Sequence, residues 1–170
     1  MNEALENLYA RRSIRKFTDK PVTDEQLHQL LKAAMCAPTA ANTQCWHFVI
    51  MRDQAAREAI VKVHPNGRPL LGADLGIVIL ADLDREKAPG YFPGDCGATA
   101  QNILLAAQAQ GLGAVWLGIY PMQERVDALS QILKLPKNIV PFCIIAVGNP
   151  AESRQPNDRY LADRVHEEVW

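Results

Sequence analysis

The chain has no CxxC pair, no apolar run near the roughly 20 residues that span a bilayer, and no GxGxxG turn following a strand. Its four cysteines, Cys36, Cys45, Cys96 and Cys143, are widely spaced. That spacing argues against a metal cluster or a disulfide framework and makes reduced thiols in a cytoplasm the expectation. Excess charge is also missing. The formal net charge is −1 and the pI about 6.4, so no general attraction to nucleic acid or to an anionic membrane is expected. The N-terminal residues include Glu3 and Glu6 rather than a basic stretch followed by an apolar one, and no secretory signal is visible. Repeats, low-complexity tracts and domain linkers are lacking as well. At 170 residues, 48% hydrophobic and 22% charged, the chain reads as one domain with a sizeable core.

Against this even background one stretch stands out. Residues 11–17 read RRSIRKF, with four cations and a hydroxyl between Arg11 and Lys16. If the segment is extended, side chains alternate, and Arg11, Ser13 and Arg15 share a face while Ile14 and Phe17 can anchor it. Guanidinium forks beside a hydroxyl suit a phosphate group, because the planar fork meets its oxygens bidentately. A solvated basic turn after a first helix is the competing interpretation.

Periodicity assigns the elements. A short helix is expected from Asn2 to Tyr9, and Thr23-Asp24-Glu25-Gln26 has the form of a capping box opening a helix that runs to Pro38. A polar loop, 38–44, leads into a strand over Trp46–Met51. Asp53 caps a helix through Val63, a break follows at 64–69, and Leu75–Ala81 is a strand. After a loop from Asp82 to Gly94, a helix is expected from about Asp95 to Gln110, stopped by Gly111. It is apolar on every side, so burial on every side is expected, by a central position or a subunit interface. Ala114–Leu117 is a strand, Glu124–Leu133 a helix and Val140–Val147 a buried strand. The tail from Pro150 is polar, carries aromatics and has no obvious fold of its own; such a segment frays or lies across another surface. Helices around a mixed sheet fit this order better than steady βαβ alternation.

Four segments occur in one order: RRSIRKF, APTAANTQCWHF, QGLGAVWLGIYP and NDRY. Together they resemble the FMN-dependent nitroreductase family over essentially the whole chain. The resemblance implies an α+β nitroreductase-like fold: a mixed, mostly antiparallel sheet flanked by helices, with a buried central helix at a dimer interface. It further implies a single domain over residues 1–170 whose 150–170 tail crosses to the partner, and a homodimer with two FMN sites at the interface. NADH or NADPH would reduce the flavin, which passes electrons to a small organic acceptor such as a nitroaromatic or quinone, with ping-pong kinetics. Nucleic acid, membrane and metal are not expected.

Carried over by position, Arg11, Ser13 and Arg15 match phosphate and ribityl contacts, with Arg12 adjacent and Arg159 a phosphate-binding residue in the tail. Pro38, Thr39, Ala40, Asn42 and Gln44 resemble the loop that packs on the flavin from the partner subunit. Small residues there admit a ring, while Asn42 and Gln44 offer donors and acceptors to its edge. Leu117-Gly118 resembles the place where a backbone N–H meets flavin N5, and a glycine lets backbone approach closely. Arg68 sits where some members direct a cation at the pyrimidine end of the ring. No side chain is expected to be catalytic, since the flavin supplies the chemistry. The chain departs from the family pattern at Asn157, where a lysine is common, at Cys45, where proline is usual, and at Leu117, which is acidic in larger members. A flavin reductase on the same scaffold and an FMN-binding protein without turnover are the alternatives. His47, Asp82 and Asp84 are expected to serve structure, and Trp116 and Tyr120 either line the acceptor pocket or pack an interface.

Overall fold

A computed structural model of the chain describes residues 2–156 and 158–170. The helices are α1 (Glu3–Ala10), α2 (Asp24–Met35), α3 (Gln54–Val63), α4 (Pro69–Gly72), α5 (Phe92–Ala109) and α6 (Gln123–Leu133). The strands are β1 (Trp46–Met51), β2 (Leu75–Asp82), β3 (Gly113–Gly118) and β4 (Ile139–Gly148). Local chemistry sets most boundaries. The Thr23 side chain accepts from the Gln26 amide and the Gln26 side chain accepts from the Thr23 amide, closing the capping box of α2. Asp53 accepts from the Ala56 amide and opens α3.

The four strands form one sheet in the order β1-β2-β4-β3, antiparallel throughout. Among the described residues the parallel component beside it is an isolated bridge between Ser13 and Ala114, so the expected mixture reduces to that contact. Helices cover both faces. Leu75, Ile77 and Ile79 of β2 and Cys143, Ile145 and Val147 of β4 belong to the core shared with α2 and α5. Val78 and Leu80 of β2 and Ile144 and Ala146 of β4 belong to the core shared with α3, α4 and α6. Burial on both faces explains why β2 and β4 read as unbroken apolar runs.

Pro141 lies within β4 and has no N–H to give the ladder. The register jumps from Ile79↔Cys143 to Leu80↔Pro141, leaving Phe142 as the extra residue of a bulge. The Phe142 carbonyl then accepts from both the Ile119 and Tyr120 amides. Its ring meets Trp116 edge-on at 5.6 Å and stacks near Tyr120 at 6.3 Å. The bulge thus shapes the end of β3 that carries Gly118.

One boundary needs correction. The long helix α5 begins at Phe92 rather than Asp95, because Pro93 occupies its first turn and needs no intrahelical donor there. Within one chain, Cys96, Thr99, Ala100, Ile103 and Ala107 face the core, while Gly94 and Gln101 are exposed and Gly97, Ala98 and Leu105 are half-buried, so the fold of a single chain covers one side of this helix. The tail has a short element of its own and, at its start, lies across another segment. Ala162–Arg164 form a 3₁₀ turn. Before that, the tail lies along its own chain's N-terminal segment: Phe17 bridges Pro150, the Ala151 amide donates to the Lys16 carbonyl, and the Arg15 amide donates to Glu152 Oε1 at 2.6 Å. No helix among the described residues is long and apolar enough to cross a membrane.

Candidate functional site

The basic stretch is held extended against the sheet by the two apolar residues assigned to anchor it. Ile14 packs over Gly113, where an added Cβ would stand 2.7 Å from Ile14 Cγ2. Phe17 covers Gly148, where the same atom would stand 2.9 Å from Phe17 Cδ1. Both glycines are gaps in the sheet that side chains from residues 13–17 fill. The Ile14 amide donates to the Ala114 carbonyl at 3.0 Å and ties the segment to the outer edge of β3.

Arg11, Arg12 and Arg159 meet in one concavity of about 630 Å³, with Leu8, Tyr9, Gln101 and Asp158 also in its wall. Burial, then the nearby charges of Arg12 and Arg159, lower the pKa of Arg11. Three guanidinium groups gathered against a single carboxylate leave an excess of positive charge, and the chemistry of that donor set fits a dianionic phosphate. Arg12 also straps the chain together, donating through Nη1 to the Tyr9 carbonyl at 3.0 Å and through Nε to the Gln155 carbonyl at 3.2 Å. Ser13 and Arg15, expected on one face with Arg11, are not part of this wall, which takes Arg12 instead; the Arg15 guanidinium turns back to the Ser13 carbonyl at 3.4 Å. Asn157, where the family pattern suggests a missing lysine, lies outside the described residues.

Along the edge of β3, Gly118 is four residues from Ala114, roughly 13 Å at the rise of an extended strand. A Cβ built on Gly118 meets nothing within 4 Å, so open space lies beside it. Its carbonyl accepts from His64 Nε2 at 2.9 Å and from Arg125 Nη1 at 2.9 Å, neither of them on β4. In an extended residue N–H and C=O point to the same side, so the Gly118 amide also faces the outer edge. Leu117 is buried beneath it. Arg68, exposed at the start of α4, follows the turn 64–67.

The 38–44 loop lies apart from that wall. Ala41, Asn42 and Gln44 all have φ near +50°, a left-handed conformation that costs about 1–2 kcal/mol per non-glycine residue. Surrounding contacts impose it: Asp95 Oδ1 accepts from the Ala40 amide at 3.0 Å, and Thr39 Oγ1 accepts from the Gln44 amide at 3.0 Å. Strained positions that are this heavily constrained are characteristic of functional loops. Pro38 and Asn42 are exposed, and Gln44 lines a different concavity, of about 460 Å³, with Trp46, His47, Phe48 and Arg85. Within one chain, then, the cation cluster and the loop belong to separate surfaces.

The remaining candidates have structural partners. Asp82 accepts from the Asp84 amide and from Asn138, and stands 3.7 Å from His47. Trp116 packs on Phe142, while Tyr120 meets Phe92 edge-on at 5.0 Å and is 38% exposed, at the Gly118 end of the sheet. Sequence reasoning missed three residues of this region: His64, Arg125 and Asp95. A histidine ahead of Pro-Asn-Gly, an arginine in the first turn of a helix and an aspartate within an apolar helix give no sequence signal for what they touch.

The nitroreductase family model matches residues 8–67 and 63–149. A protein of Methanothermobacter thermautotrophicus, provisionally named an NADH dehydrogenase/NAD(P)H nitroreductase, is 41% identical over 168 residues, covering 99% of this chain and 88% of that one. A Parabacteroides distasonis crystal structure with the same provisional name superimposes at a TM-score of 0.95, with 35% identity over the full length of both chains. A nitroreductase of Desulfovibrio desulfuricans, provisionally named as such and solved with FMN, superimposes at 0.87 with 31% identity, covering 100% of this chain and 99% of that one.

Proposed function

The chain belongs to the nitroreductase family, and from that premise we infer an FMN-dependent NAD(P)H oxidoreductase whose flavin lies along the outer edge of β3. When bound, FMN supplies the redox chemistry, accepting a hydride from NAD(P)H and passing electrons to an organic acceptor such as a nitroaromatic or quinone. The observation that carries the assignment is the pairing, on one edge, of a guanidinium cluster with an amide beside open space.

Arg11, Arg12 and Arg159 hold the phosphate, with Ser13 and Arg15 toward the ribityl chain. The Gly118 amide, next to Leu117, orients the redox edge of the ring, and Arg68 offers a cation to its pyrimidine end. Pro38, Thr39, Ala40, Asn42 and Gln44 of a second copy cover the other side of the ring and exclude water. A homodimer supplies that second copy. Its interface is the open face of α5 together with Leu5 and Leu8, which α1 leaves 41% and 48% exposed. The 150–170 tail, after its contacts with residues 15–17 and the cavity of Arg11 and Arg12 in its own chain, continues across the same interface. One pocket then serves nicotinamide and acceptor in turn, which gives ping-pong kinetics. Free thiols, three of them buried, suit a reducing compartment such as the cytoplasm.

The test is direct. Flavin released by heat and separated by chromatography is expected to be FMN, and NADH or NADPH is expected to bleach the bound flavin anaerobically. R11A and R159A are each expected to weaken FMN binding by about tenfold or more, since a charge-assisted hydrogen bond contributes about 1.5–3 kcal/mol. Mainly FAD, or a yellow protein that neither nicotinamide bleaches, overturns the assignment.

A further inference from the structure

His64 is a buried histidine, 2% exposed, with both ring nitrogens engaged. The Asn66 amide donates to Nδ1 at 3.2 Å, so Nδ1 is the acceptor. Nε2 must then carry the proton and donate to the Gly118 carbonyl at 2.9 Å. A single neutral tautomer therefore joins two segments distant in sequence. Nδ1 fixes the turn that leads to Arg68, and Nε2 fixes the end of β3.

The same carbonyl accepts a second bond from Arg125 Nη1 at 2.9 Å. Donors from the end of α3 and from the first turn of α6 thus converge on the backbone of one residue. Gly118 is also the residue least able to hold its own conformation, because glycine has the widest backbone freedom. An edge strand offers it no further ladder partner on that side. The Gly118 N–H lies in the 117–118 peptide, which the pairing of Leu117 with Ile144 orients; the two donors hold the next peptide, 118–119, and so limit the rotation of Gly118 between the two.

We propose that His64 and Arg125 are positioning residues for the flavin: they clamp the Gly118 carbonyl so that its amide and the Arg68 turn are held in one rigid frame. This proposal rests on the reading of Gly118 as a flavin contact. The clamp has an electrostatic consequence too. The Arg125 guanidinium lies one carbonyl away from the amide that faces the ring. Reduction adds negative charge to the ring, and a fixed cation at that distance favours the reduced form. His64 stays neutral beside it, because burial, followed by the charge of Arg125, lowers its pKa.

The experiment compares His64→Gln, His64→Leu and Arg125→Met with the wild-type protein. The readouts are the dissociation constant of the flavin-free protein for FMN and the midpoint potential of bound FMN. Glutamine places an amide N–H close to the position of Nε2–H and is expected to bind FMN within about twofold of wild type. Leucine fills the space without a donor and is expected to weaken binding about three- to tenfold, the net value of one hydrogen bond. Arg125→Met alters a half-buried side chain near the surface and keeps the fold testable if the histidine variants unfold. It is expected to lower the potential by about 30 mV, which corresponds to a tenfold weaker preference for the reduced flavin.

Equal dissociation constants and potentials in folded His64→Leu and Arg125→Met overturn the proposal. So does a His64→Gln protein as impaired as His64→Leu, because volume rather than the bond would then be what matters. Wild-type protein that fails to bind FMN removes the underlying reading of the site, a result distinct from variants that match a functional wild type.

Discussion

Gly118→Val separates the requirements of the fold from those of the site. In the flavin-free protein an added Cβ at residue 118 meets nothing within 4 Å. Valine is also a better strand residue than glycine, on a scale spanning about 1 kcal/mol. Urea unfolding of the flavin-free variant is therefore expected to show unchanged stability or a gain of up to about 1 kcal/mol. With flavin the direction reverses. If the ring occupies the open space, the side chain intrudes on it at a cost of about 1–3 kcal/mol, the usual penalty of overpacking. That corresponds to FMN binding weaker by about 5- to 150-fold, measured by titrating flavin fluorescence. Gly113→Ala is the control with the opposite pattern. Its Cβ would lie 2.7 Å from Ile14 Cγ2 and 3.2 Å from Pro150 Cβ, so it strains the fold before any ligand arrives. G118V protein that binds and reduces FMN like wild type would falsify the close approach. A loss of more than about 1 kcal/mol in its flavin-free stability would show that the space is not open.

Two further outcomes follow from the same geometry. Ala98→Glu places a charge on the half-buried face of α5 and is expected to yield monomers with little bound flavin in sedimentation velocity; a flavin-loaded wild-type monomer at micromolar concentration refutes the dimer. Because the folded state lowers the pKa of His64, its contribution to stability is fully present above the unfolded value of 6.5 and is lost as pH falls from there through the folded value. The urea midpoint is therefore expected to drop on acidification below about pH 6.5 in wild type and less in His64→Gln; Glu152, whose carboxyl pKa is lowered chiefly by the Arg15 amide, adds its loss separately, below about 4.5. Parallel pH profiles for the two proteins refute the neutral-histidine assignment.

Local signals in the chain determined much of this protein. The capping box at Thr23, the Asp53 cap, the aromatic strand from Trp46 and the apolar runs of β2 and β4 all depend on neighbours close in sequence, and they formed where the pattern put them. The cations of residues 11–15 stood out by residue type alone, whereas Arg159 entered only through the family resemblance; the tertiary structure is what brings Arg11, Arg12 and Arg159 into one cavity wall. Contacts between distant segments decided the rest. The left-handed loop depended on a carboxylate 55 positions away at Asp95. His64 meets Gly118 across 54 positions, and nothing in the periodicity of either segment records the encounter. Sequence by itself determines which groups a chain can offer a ligand; which partners hold a given stretch of backbone in place is decided only when the fold closes and brings distant segments together.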